Sequence, residues 1–73
     1  MKIIIKNKIK YKLDEYKKET GRNKIWIAEQ MGMSKQTMYK IMNATNLTLE
    51  TLIKFAVALE CKPEELYDYK VES

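Results

Sequence analysis

Five residues within one short stretch carry most of the chemistry of this chain: Lys35, Gln36, Thr37, Tyr39 and Lys40. They supply ammonium groups, a carboxamide and hydroxyls, all suited to hydrogen bonding and none a strong nucleophile. Such groups recognise rather than react. Lysine can donate to guanine O6 and N7, and glutamine can pair bidentately with adenine N6 and N7. Nothing comparable is present for catalysis. There is no histidine, which removes the commonest general base and the commonest metal ligand. No nucleophile is paired with a base and no glycine loop is built for phosphate. The single Cys61 excludes an internal disulfide framework and a metal site of several thiolates. No enzyme activity, cofactor or metal is expected.

The elements that must position these five residues are written just upstream. Ile27-Ala28-Glu29-Gln30-Met31-Gly32-Met33-Ser34 reads as a helix, a turn and the start of a second helix. Gly32 is the residue type that enters a left-handed conformation without steric penalty. Ser34 is placed as an N-cap. Ala28 is small where two helices approach closely. Together these spacings describe a helix-turn-helix, with the polar set on its second helix.

Charge agrees with that reading. Residues 1–46 hold eleven Lys/Arg against four acids, a balance of +7, and residues 47–73 hold three Lys against six acids, a balance of −3. A basic face attracts phosphate backbones, although lysines on a small helical protein also serve simply as a solvated surface. The 73 residues make one small domain with a thin core. They are read as core 6–67, arm 1–5 and tail 68–73, with no room for a separate ligand-sensing domain. No apolar run reaches membrane-span length, and Met1–Lys6 is too short for a signal-peptide core, so a reduced, cytoplasmic compartment is the expectation.

Five helices are expected. Helix 1 starts near Lys6 or Asn7, buries Ile9, Leu13 and Tyr16, pairs Asp14 with Lys18, and stops at Gly21. Asn23 caps helix 2, Lys24 to Met31. Helix 3 runs from Lys35 to about Asn43 with Met38 and Ile41 inward. Thr48 caps helix 4, whose apolar stripe is Leu49, Leu52, Phe55, Ala56 and Leu59. Pro63 opens a short fifth helix, with Glu64 and Glu65 at its positive end and Leu66 closing the core. Met31, Met33 and Met38 read as core filler, Met42 as facing outward, and Cys61 as a small buried apolar residue. Met1–Ile5 is either a strand or a packing tail, and Tyr67–Val71 alternates as an edge strand does.

On these residues the chain resembles the Cro/repressor helix-turn-helix family of phages and bacteria, also called the XRE family. The resemblance covers about Lys6 to Tyr67. It rests on Ile27-Ala28, Gly32-Met33-Ser34, Met38 with Ile41, Leu49-Glu50-Thr51-Leu52 leading to Phe55-Ala56, and Pro63-Glu64-Glu65-Leu66. It implies an all-α, compact five-helix lambda-repressor-like domain with short strands possible only at the termini. It implies a sequence-specific double-stranded DNA-binding regulator, a repressor by type, with helix 3 in the major groove. Lys35, Gln36, Thr37, Tyr39 and Lys40 then read bases. Asn23, Lys24, Asn43, Thr45 and Asn46 then hold phosphates, with backbone amides at the start of helix 2. It also implies a homodimer on a two-fold site. The tail, the fifth helix and the arm are the candidate contacts, and strand addition between tails is one mechanism.

The chain departs from the family in three places. Asn43-Ala44 stands where the family often has Asn-Gly, Lys24 where it usually has glutamine, and Ile25-Trp26 where it usually has exposed polar residues. Ile25 and Trp26 are either an interaction surface for a protein partner or a local core covered by the Ile3–Ile5 arm. Tyr39 either reaches DNA or only covers its helix. A second function class therefore stands beside the first: a protein-interaction module, such as an antirepressor or assembly partner, that keeps the fold and does not bind DNA.

Overall fold

In the computed structural model, which describes residues 1–73, three side chains start three helices by the same device. Asn23 Oδ1 accepts the Trp26 N–H at 3.0 Å, Ser34 Oγ the Thr37 N–H at 3.2 Å and Thr48 Oγ1 the Thr51 N–H at 3.2 Å. Each satisfies a donor that has no intrahelical partner. The helices that follow are α2 (Lys24–Gln30), α3 (Lys35–Met42) and α4 (Leu49–Leu59), preceded by α1 (Ile9–Thr20).

Helix ends are equally explicit. Gly21 closes α1 at φ 77°, its N–H on the Lys17 carbonyl at 2.8 Å. Gly32, at φ 68°, closes α2 with two bonds: its own N–H to Glu29 O at 3.1 Å and the Met33 N–H to Ala28 O at 3.0 Å. That is the Schellman pattern. α4 ends with the same two bonds, from Glu60 to Val57 O and from Cys61 to Ala56 O, but on a glutamate at φ 56°. No sequence signal marks that position. The chain adopts a left-handed residue there because two orphan carbonyls are satisfied by it, against a cost of about 1–2 kcal/mol.

The core is one cluster of twelve buried side chains. α1 contributes Ile9, Leu13 and Tyr16, α2 Ile27 and Ala28, α3 Met38 and Met42, and α4 Leu52, Phe55, Ala56 and Leu59, with Leu66 beneath them. No polar side chain is buried.

The five-helix expectation is corrected at its last member, and the strands allowed for at the termini are both present. The fifth helix is a single 3-10 turn, Pro63–Leu66. The termini pair with each other: β1 (Lys2–Asn7) runs antiparallel to β2 (Tyr67–Glu72), from Lys2↔Glu72 to Asn7↔Tyr67. α1 accordingly starts at Ile9 rather than at Lys6 or Asn7. Asn7 is the reason, since its Oδ1 accepts the Ile9 N–H at 2.9 Å while its Nδ2 donates to Ile41 O at 2.7 Å and Ala44 O at 2.9 Å. One side chain thus joins the ribbon, the start of α1 and the end of α3.

Side-chain expectations are corrected at several positions. Met42, read as outward, is only 8% exposed, because it lies one turn from Met38 on the same helix face. Leu49, read as core, is 69% exposed: it opens α4, whose buried residues begin at Leu52. Asp14 and Lys18 form no ion pair. Lys12 instead takes Glu15 at 3.6 Å and Glu65 at 3.2 Å. Cys61 is half-buried rather than buried. The Ile3–Ile5 arm lies against β2, and Ile3 and Ile5 line a groove with Leu47 and Leu52, so it is not a cover for Trp26.

Candidate nucleic-acid interface

α3 divides its residues by face. Met38 and Met42 point into the core, whereas Lys35, Gln36, Thr37 and Lys40 are exposed and Tyr39 is half-buried. Gln36 and Lys40 are one turn apart, as are Lys35 and Tyr39, so two adjacent polar rows run along the outer surface. The helix has eight residues, about 12 Å at 1.5 Å per residue, comparable to the width of a major groove at about 12 Å.

The first turn of α3 is tightly held. Ser34 Oγ accepts the Thr37 N–H and also donates to Thr37 Oγ1 at 3.0 Å. Thr37 is therefore fixed in place, with its own hydroxyl hydrogen free. Tyr39 gathers two cations from different helices: Lys24 Nζ lies 5.2 Å from its ring centroid and Lys35 Nζ 5.8 Å. The ring attracts both ammonium groups and so holds a base-facing and a phosphate-facing candidate side by side. That contact joins α2 to α3 on the outside of the turn, as Ala28 and Met38 join them inside.

The phosphate candidates fall at two ends of this surface. Asn23 is exposed at the start of α2, with its oxygen committed to the cap and its amide hydrogens free. Lys24 is half-buried beside it. Asn43, Thr45 and Asn46 are exposed in the loop after α3. Asn43 Nδ2 donates to Tyr39 O at 2.9 Å, which uses one of its two donors to close the helix. Ala44 is not left-handed: Glu60 is the one non-glycine residue with positive φ. The loop therefore takes a route without the turn that an Asn-Gly pair provides.

Sequence reasoning passed over Arg22. Its guanidinium lies 4.3 Å from the Trp26 ring centroid and donates to Tyr16 Oη at 3.3 Å. Trp26 is thereby a packed platform for the cation that precedes the α2 cap, and Ile25 remains 43% exposed next to it. The available signal was that Arg22 is the sole arginine of the chain, directly before an N-cap.

The perturbed ionisations belong to a different cluster. The Glu65 carboxyl is held below its ordinary value by the Lys62 N–H and by Lys12, Lys12 is raised by its hydrogen bond to Glu65, and burial pushes the Cys61 thiol up. No group of three or more His, Cys, Asp or Glu side chains is placed to hold a metal ion, and no helix is long and apolar enough to cross a membrane.

A capped recognition-type helix, a Schellman turn and a second helix packed across it define a helix-turn-helix domain. Residues 2–72 match the family model of the Cro/C1-type HTH DNA-binding domain, and the chain belongs to that family. Comparison with curated proteins and comparison with solved structures gave no match.

Proposed function

We propose that this protein is a sequence-specific, double-stranded DNA-binding transcriptional regulator of the repressor type. α3 enters the major groove, where Lys35, Gln36, Thr37, Tyr39 and Lys40 meet base edges. Asn23, Lys24, Asn43, Thr45 and Asn46 hold the flanking phosphates, and Arg22 adds a cation at the same end of α2. The protein works as a two-fold dimer in the cytoplasm of a bacterial cell or a phage-infected host. The observation that carries this is the division of α3: Lys35, Gln36, Thr37 and Lys40 are exposed while Met38 and Met42 are buried. A helix needs no such donor set merely to remain soluble.

The second reading, a protein-interaction module without DNA, draws support from Ile25, an exposed apolar residue beside Trp26. Binding to a randomised duplex pool at two salt concentrations, with sequencing of the retained DNA, separates the two. A palindromic motif with steep salt dependence supports the regulator. Retention without a motif leaves a non-specific binder. Absence of retention at either salt favours the interaction module.

A further inference from the structure

The residue before a helix N-cap often packs an apolar side chain back onto the start of the helix. Ahead of Asn23 this chain places Arg22 instead, its sole arginine. The side chain still folds back. Its guanidinium carbon lies over the Trp26 ring, 4.3 Å from the centroid, and Nη1 donates to Tyr16 Oη at 3.3 Å. Both supports are firm. Tyr16 is a core residue, and Trp26 packs against the same core with its N–H on Asn23 Oδ1 at 3.0 Å. The backbone of Arg22 is held as well. Its N–H donates to Thr20 Oγ1 at 3.2 Å, and that hydroxyl donates in turn to Tyr16 O at 2.8 Å.

A leucine fills such a place without a charge. Arginine brings five N–H donors and a permanent positive charge. One donor goes to Tyr16 Oη. No carboxylate takes the others: the three ion pairs of the structure belong to Lys12 and Lys54, and Arg22 is exposed. An aromatic face attracts a guanidinium without using its N–H groups, so the ring orients the cation and leaves its fork available. A planar fork held in advance meets a phosphate with two parallel bonds and loses little freedom in doing so.

We infer that Arg22 is a preformed clamp for one backbone phosphate of DNA and that Trp26 is its positioning residue, with the Tyr16 hydroxyl as a second support. The inference rests on the regulator reading and deepens it. Position in the chain favours a phosphate over a protein carboxylate. Arg22 stands directly before Asn23 and Lys24 in the basic part of the chain, so a DNA strand held by those two passes within reach of its free edge. A phosphate contact carries no sequence information of its own, so the clamp adds affinity for every duplex alike. Trp26 acts through Arg22 and touches no DNA itself. The aromatic that departs from the family's usual polar residue is thus assigned to holding a cation rather than to anchoring a protein partner.

The test is binding of the full chain to the duplex selected from the pool and to a random duplex, over a series of salt concentrations. Arg22→Leu keeps an apolar side chain for the helix start and removes the charge. It is expected to weaken both duplexes alike, by about tenfold, and to reduce the slope of log K against log salt by about 0.9, with the fold intact by circular dichroism. Trp26→Ala is expected to lose about threefold at the parent's slope, because the charge remains and only its orientation is lost. Trp26→Phe keeps most of the affinity. In the Arg22→Leu background, Trp26→Ala brings no further loss. A Trp26 that only packs α2 weakens binding by the same factor in both backgrounds, and that result overturns the positioning role. Trp26 is also the sole tryptophan, so its fluorescence reads the stack without any substitution there. Saturating duplex is expected to change the emission of the parent and to leave that of Arg22→Leu nearly unchanged; equal changes in both overturn the inference even where Trp26→Ala does not fold. An Arg22→Leu protein that binds both duplexes as the parent does refutes the clamp and leaves the regulator reading standing. A loss confined to the selected duplex also overturns it and makes Arg22 a base reader. A parent protein that retains no duplex at either salt refutes the regulator reading, and the clamp with it.

Discussion

Replacing Asn7 by alanine removes three hydrogen bonds at once. The lost bonds are the acceptor for the Ile9 N–H at 2.9 Å and the two donors to Ile41 O and Ala44 O at 2.7 and 2.9 Å. Each bond is worth about 1 kcal/mol net, and partly buried carbonyls left without a donor add to the loss. The sum is about 2–3 kcal/mol, partly offset where water reaches the vacated groups. A domain of this size loses about 4–8 °C of Tm per kcal/mol, so Asn7→Ala is expected to lower the midpoint by about 10–20 °C. Thermal and urea unfolding followed by circular dichroism measure it, and agreement between the two guards against a changed unfolding mechanism. Asn7→Asp sharpens the test. It keeps the acceptor for Ile9 but places a carboxylate against two carbonyl oxygens, so at neutral pH it is expected to be at least as damaging as alanine. Acidification then restores part of the loss, because the protonated carboxyl regains one donor. A drop below about 4 °C for Asn7→Ala, equivalent to about 1 kcal/mol, refutes the reasoning. So does an aspartate variant that is less destabilised than the alanine variant at neutral pH.

Five further outcomes are expected. Gln36→Ala lowers discrimination between the selected site and random duplex by about 1–3 kcal/mol with little change in non-specific affinity, measured by competition binding. Lys24→Ala weakens binding to all sequences alike and reduces the slope of log K against log salt by about one unit. Gly21→Ala lowers stability by about 1 kcal/mol, because a Cβ there meets nothing within 4 Å and only φ 77° opposes it; Glu60→Gly, at φ 56°, raises Tm instead. The Glu65 carboxyl is depressed by the Lys62 N–H and by Lys12, so its contribution is complete above the ordinary carboxylate value and is lost as pH falls through its lower folded value. Glu65→Gln is therefore expected to flatten the acid side of the Tm–pH profile.

The interior of this fold was written locally, which is why it was legible. Caps at Asn23, Ser34 and Thr48, glycine stops at 21 and 32, and helical spacing of apolar residues each depend on a few neighbouring positions. The same locality exposed the polar rows of α3. What escaped is non-local. The pairing of β1 with β2 joins segments separated by nearly the whole chain, and the alternation in Tyr67–Val71 said strand without saying which partner. Asn7 carried no local mark of its bonds to Ile41 and Ala44. Arg22 was missed because its partners, Tyr16 and Trp26, lie on two different helices. Met42 adjoins a polar loop in the sequence, and only its one-turn spacing from Met38 marks it as inward. Glu60 shows a backbone demand overriding residue preference, which propensity alone does not reveal.

The pairing of Lys2 with Glu72 makes the order of assembly a property of the fold. Every helix can form from contacts between near neighbours, whereas the ribbon must close a loop that contains all of them. Such a closure is entropically unfavourable until the intervening chain is compact. The helical core therefore condenses first, and the two ends zip together on a platform already built. Substitutions in the ribbon then leave the folding rate nearly untouched and appear as faster unfolding. The last structure to form is also the first to open, so the two ends of the chain part from each other while the helical core still stands.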